Sequence, residues 1–149
     1  MLDKESRDKN CSFTAMTDAW NETGVGQVMV ERVDSEAIEN YGVADLNGEA
    51  SEPFRSVPLK GLVEKPSPEE APSNLAVLRR YILPSKVLEL LETTVAGVGG
   101  EIQLTDALDE LLKRDGLNAF ETDADIFDCG NKQGFLSANL AVGMRDPET

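Results

Sequence analysis

The run from Leu59 to Leu83, LKGLVEKPSPEEAPSNLAVLRRYIL, constrains the fold more than any other stretch of the chain. Its first apolar segment stops at Glu64-Lys65, because Pro66 has no N–H to give a neighbouring strand. A polar, proline-punctuated loop follows, and a second apolar run opens at Asn74 and is closed by Pro84. The first strand therefore ends on an acid and a base held side by side. Such a pair suits a polyol bearing a phosphate. The carboxylate accepts hydroxyls, and the ammonium meets the phosphate as a point charge.

The remaining elements follow from periodicity. A helix is expected from Ser12, with Phe13, Met16 and Trp20 at helical spacing and Gly24 as its stop. Val25 to Val33 is rich in β-branched residues and reads as a buried strand. After the short polar connection Asp34 to Asn40 comes a strand, Tyr41 to Leu46, and then Asn47-Gly48, a strong hairpin signal. Its partner strand is expected within Val57 to Lys65, beyond a loop at Ser51 to Ser56. Asn74 to Leu83 is the next strand. Ser85 is expected to cap a helix to about Thr93, with Val87, Leu88, Leu90 and Leu91 as its apolar face. AGVGG at Ala96 to Gly100 reads as a flexible turn. Leu104, Ala107, Leu108, Leu111 and Leu112 trace an amphipathic helix, ended by Gly116. Leu117 to Phe127 is expected to give one or two strands, broken at Asp123-Ala124-Asp125. Asn131 is expected to cap a last helix to about Met144. Strands alternating with helices, with no internal repeat, make the class α/β.

Composition removes whole classes of function. The chain has 149 residues, enough for one domain with a real core. Its formal net charge of −14 argues against nucleic acid or an anionic membrane as partner. No run approaches the roughly 18 apolar residues of a membrane span. Residues 1–10 are polar, show no secretory signal and are expected to be disordered. With only Cys11 and Cys129, a disulfide framework is not expected and the setting is cytoplasmic. There is no histidine, which excludes the common neutral-pH base, His-assisted nucleophiles and most zinc sites.

Five places remain that could carry chemistry. Taken alone, Glu64-Lys65 reads first as an exposed surface ion pair. Its neighbours strengthen the ligand reading: Gly42 permits close backbone approach, and Asn74 offers donors and acceptors to a sugar. Glu101 either complements the dipole of the following helix or grips hydroxyls from a glycine-rich loop tip. Thr105 and Asp106 read as capping residues. Asp128 either caps the helix that starts near Asn131 or ligates Mg²⁺. Cys129, lacking a histidine partner, reads as a buried inert thiol.

Together these segments resemble the C-terminal part of bacterial UTP–glucose-1-phosphate uridylyltransferases, also called UDP-glucose pyrophosphorylases. The resemblance rests on Tyr41-Gly42-Val43, LKGLVEKP at Leu59 to Pro66, APSNLAVLRRYIL at Ala71 to Leu83, GGEIQLTDALDELL at Gly99 to Leu112, and FDCGNKQGFLSANL at Phe127 to Leu140. These occur in the family's order and spacing, and Phe13 to Val33 fits the region before them. The resemblance implies the C-terminal portion of a Rossmann-like sugar nucleotidyltransferase domain, a mixed sheet with flanking helices, spanning 1–149 as a single partial domain. It implies uridylyl transfer from UTP to glucose-1-phosphate, giving UDP-glucose and pyrophosphate. Glu64 would bind glucose hydroxyls and Lys65, the catalytic residue, the sugar phosphate. Gly42 and Asn74 would line the sugar pocket with Glu101 beside it, and Asp128 would lie close to Mg²⁺. The family's opening GxGTR loop has no counterpart before Phe13, so the nucleotide-binding portion is expected to be missing and activity of this chain alone weak or absent. The alternative is a sugar-phosphate-binding or subunit-interaction piece, forming a homo-oligomer or joining a full-length paralogue.

Overall fold

A computed structural model of the chain describes residues 12–94, 102, 104–127 and 129–144. Helix α1 (Ser12–Thr23) leads into strand β1 (Gly26–Arg32), a 3-10 helix (Ser35–Asn40) and β2 (Gly42–Asp45). Then come β3 (Ser56–Pro58), β4 (Gly61–Glu64), β5 (Leu75–Ile82), α2 (Lys86–Thr93), α3 (Leu104–Asp115), β6 (Leu117–Glu121) and α4 (Lys132–Gly143). The six strands form one mixed sheet in the order β3-β6-β1-β5-β2-β4, with β1 and β6 parallel and the other pairs antiparallel. The α/β class and the mixed sheet with helices are as expected.

The sheet must curl. Across a flat sheet, β3 and β4 would stand about 24 Å apart, given strand spacings of about 4.8 Å. Yet only Leu59 and Lys60 separate them in the chain, a reach of about 10 Å. The curl resolves this: the Leu59 N–H donates to the Leu117 carbonyl at 2.8 Å, and the next N–H, of Lys60, donates to Asp45 at 2.8 Å. One short segment thus stitches both margins of the sheet. The partner strand expected for β2 does lie within Val57 to Lys65, as β4, and the start of the same stretch belongs to a further strand, β3. Asn47 (φ 55°) and Gly48 (φ 83°) do form a tight turn, closed by the Glu49 N–H on Leu46, but the chain passes along β6 before returning to pair β2. The turn chemistry was local and the pairing partner was not.

β1 lies inside the sheet and buries both faces, which explains its nearly unbroken apolar run. Val28 and Val30 join a core that draws on the other strands and on Val87 and Leu90 of α2 and Ala107, Leu108 and Leu111 of α3. Met29, on the opposite face, packs with Phe120 and with Met16 of α1. Gly24 (φ 66°) and Gly116 (φ 80°) end α1 and α3 in the left-handed region, as their positions foretell. Asn131 caps α4, accepting the Gly134 N–H at 2.8 Å.

Several local expectations fail for identifiable reasons. Phe13 is exposed, because Ala15, Met16 and Ala19 make the α1 contact with the sheet. Leu88 is 62% exposed, since Val87, Leu90 and Leu91 already fill the contact of α2. Ser85 occupies the N-cap position of α2 in a helical conformation (φ −55°, ψ −23°) and makes no side-chain cap. Of the one or two strands expected over Leu117 to Phe127 one forms, β6, and residues 122–127 add no second: the Thr122 hydroxyl takes the Ala124 N–H at 3.1 Å, turning the chain away. Cys129 is exposed rather than buried, because it lies in the turn before α4. The expectations for residues 1–10, Ala96 to Gly100, Glu101 and Asp128 lie outside the described residues.

Candidate functional site

Where β2, β4 and β5 meet the first turn of α3, they leave a cleft of about 640 Å³. Its apolar wall is Leu62, Val77 and Leu108, side chains that also pack on the core. Its polar groups are Glu64, Arg79, Tyr81, Tyr41, Asn40 and Thr105, so Thr105, read from sequence as a cap, faces a ligand-sized space.

Gly42 and Glu64 are directly opposed in the β2–β4 ladder. A methyl group at Gly42 would sit 3.0 Å from Glu64 Oε2 and 4.0 Å from the Val77 Cβ. The missing side chain therefore gives the Glu64 carboxylate its seat. Lys65 follows with φ 47°, a left-handed conformation that costs a non-glycine residue about 1–2 kcal/mol. Its N–H donates to the Tyr41 carbonyl at 2.9 Å, and the next residue, Pro66, is buried, so the strained turn is held from both sides. Strain of this kind concentrates where a side chain has a job. The Lys65 side chain is exposed, next in sequence to Glu64 but not itself among the residues lining the cleft, with no ion pair or hydrogen bond to a described residue.

β5 is irregular where it passes the cleft. Val28 and Val30 of β1 face Tyr81 and Val77, so two steps on β1 match four on β5, and Arg79 within this bulge has φ 53°. Burial pushes the Tyr81 hydroxyl above its ordinary pKa of 10.0, the Arg79 charge opposes that shift and the Glu64 charge adds to it. Both charges therefore act on one phenol inside the cleft.

Asn74 stands apart. It precedes β5 about 10 Å along the chain from Val77 and lines a separate cavity of about 210 Å³ with Arg32, Ser51 and Ser73. Its Oδ1 accepts from Arg32 Nη1 at 2.8 Å, while Arg32 also pairs with the buried Glu121 at 3.1 Å. Thus the structure brings together Gly42, Glu64 and the adjoining Lys65, and sets Asn74 in a neighbouring network. Sequence reasoning missed Arg79 and Tyr81. Their alternation with Val77 on one strand face was a usable signal. Among the described residues no group of three or more His, Cys, Asp or Glu side chains could hold a metal ion.

A curled mixed sheet with an acid and a base at a strand end beside an open cleft fits group-transfer chemistry on phosphates. The family model for nucleotidyl transferases matches residues 7–144, and the chain belongs to that family. Within it, the chain is 44% identical over 137 residues to the UTP–glucose-1-phosphate uridylyltransferase of Haemophilus influenzae, covering 92% of this chain and 46% of that protein. The namesake from Escherichia coli K12 is 43% identical over 134 residues, covering 90% and 44%. Among solved structures, a UTP-bound UGPase from Acinetobacter baumannii matches with a TM-score of 0.84 at 38% identity, over 91% of this chain and 46% of that one. A UDP-glucose pyrophosphorylase complexed with UDP-glucose matches with a TM-score of 0.79 at 34% identity, over 97% and 53%. The chain spans about half the length of the curated relatives it matches.

Proposed function

We propose that the cleft between β2, β4, β5 and α3 is the glucose-1-phosphate site of a UTP–glucose-1-phosphate uridylyltransferase. The observation that carries this is the seat of Glu64: its carboxylate lies over Gly42 in the cleft, and Lys65 follows in a strained, anchored turn. Glu64 accepts hydroxyls of the sugar and fixes its orientation. Lys65 neutralises the sugar phosphate. Two anions must approach for reaction, and one positive charge about 4 Å from a phosphate offsets about 4 kcal/mol at an effective dielectric of about 20. A phosphate oxygen of the sugar phosphate then attacks the α-phosphorus of UTP. The new P–O bond forms as the α–β bridge breaks, and pyrophosphate leaves with the bonding pair. No enzyme-bound intermediate is needed.

Mg²⁺, with Asp128 as a ligand, belongs to the same proposal, as do Glu101 as a sugar contact and a cytoplasmic setting; no step above depends on them. These 149 residues bind the sugar phosphate and by themselves turn over slowly or not at all. Calorimetric titration with glucose-1-phosphate tests the first part and a UDP-glucose synthesis assay the second. Saturable binding lost in Glu64→Gln and Lys65→Ala supports the reading. Binding unaltered in both variants defeats it. A second reading, a piece that binds without catalysis and associates with another copy or a longer relative, is favoured by α4. That helix leaves Phe135, Leu136 and Leu140 exposed, as is Met144 just past its end. Sedimentation as a monomer at all concentrations would remove it.

A further inference from the structure

We infer that Arg79 is a second anion-binding group of the cleft, taking the phosphate of a bound sugar phosphate together with Lys65. The inference rests on the reading of the cleft as a sugar-phosphate site and adds a residue to it. Arg79 adopts φ 53° in the middle of β5, where regular pairing would need no left-handed residue. The bulge that forces this conformation re-aims the strand locally, and it does so beside the cleft that Arg79 lines. The adjacent Arg80 is not part of that lining. In a chain of net charge −14, the Arg79 guanidinium has no ion pair with a described carboxylate, Glu64 included. Among the described residues it is an uncommitted cation, in a cleft whose acidic lining residue, Glu64, has its own role in the proposed chemistry. Its charge nevertheless reaches Tyr81. The first turn of α3, at Leu104 and Thr105, lies on the same cleft and carries the positive end of a helix dipole. A planar guanidinium matches two phosphate oxygens at once, which the Lys65 ammonium does not.

The test compares the 149-residue chain with Arg79→Gly and Arg79→Lys, measuring melting temperature and calorimetric affinity for glucose-1-phosphate. Glycine accepts the left-handed conformation without strain, so Arg79→Gly is expected to melt at the same temperature or about 3 °C higher. Its affinity for glucose-1-phosphate is expected to fall about tenfold to a hundredfold, since a charge-assisted contact is removed. Arg79→Lys is expected to recover part of the affinity but not the stability. Weakened binding with retained melting temperature and lysine rescue supports the inference. Unchanged or tighter binding in Arg79→Gly overturns it while leaving the sugar-phosphate reading intact. Failure of the unaltered chain to bind glucose-1-phosphate overturns both.

Discussion

Gly42→Ala separates what the cleft needs for stability from what it needs for recognition. The added methyl would stand 3.0 Å from Glu64 Oε2, a few tenths of an ångström inside ordinary contact, and a harmless 4.0 Å from Val77. Glu64 is exposed and its carboxylate is the far end of a flexible side chain, so it yields before the backbone does. Alanine also costs less backbone entropy than glycine within a strand, by roughly 0.5–1 kcal/mol. The two effects oppose each other, and the net change in folding free energy is expected to lie within about 1 kcal/mol of zero. Recognition has no such compensation. A carboxylate moved off its seat loses alignment with sugar hydroxyls, and charge-assisted hydrogen bonds contribute about 1.5–3 kcal/mol each. The expected outcome is a melting temperature within a few degrees of the parent and a Kd for glucose-1-phosphate about tenfold weaker. Differential scanning fluorimetry and calorimetry on one preparation read both. An unchanged Kd would refute the idea that Gly42 exists to seat Glu64. A large loss of stability would instead make the glycine a packing requirement.

Three further outcomes test other parts of the structure. Burial holds the Glu31 carboxyl above its ordinary 4.5, so on raising the pH the unfolded chain releases that proton first and stability falls through this window. Glu31→Gln is therefore expected to raise the melting temperature at pH 7, with the gain vanishing below about pH 4; a gain that persists in acid would contradict the cause. Leu108 is fully buried and also forms part of the cleft wall, so Leu108→Ala should cost about 2–5 kcal/mol in urea unfolding. Arg32→Ala leaves Glu121 buried without its partner and should cost about 1–3 kcal/mol, tempered because Arg32 is half exposed. Glucose-1-phosphate binding should survive it; lost binding would move the ligand to the Asn74 cavity.

Much of this architecture is legible in the chain because the signals are local. Helix α3 and its Gly116 stop, the Asn131 cap and the two-faced burial of β1 all follow from spacing and residue type within a few positions. Glu64-Lys65 before Pro66 is likewise readable as a strand end. What escaped reading depends on pairing at long range. The division of Val57 to Lys65 into two strands arises only because the sheet curls until both margins meet, and no composition of nine residues encodes that. The bulge at Arg79 belongs to a mismatch between β1 and β5, far apart in sequence. Asn74 is readable as a polar residue opening β5, whereas its engagement by Arg32 from another strand is not. The exposed Leu88 and Phe13 show the same limit, since periodicity marks a face without saying how wide the partner surface is.

The central claim is that glucose-1-phosphate enters the cleft over Gly42 and Glu64. Its most direct test is a ¹⁵N-labelled titration of the chain with that ligand, followed residue by residue. Saturable shifts clustered at Gly42, Leu62, Glu64, Lys65, Arg79 and Tyr81 are expected. Shifts confined to Arg32, Ser73 and Asn74, or none at saturating ligand, would contradict it.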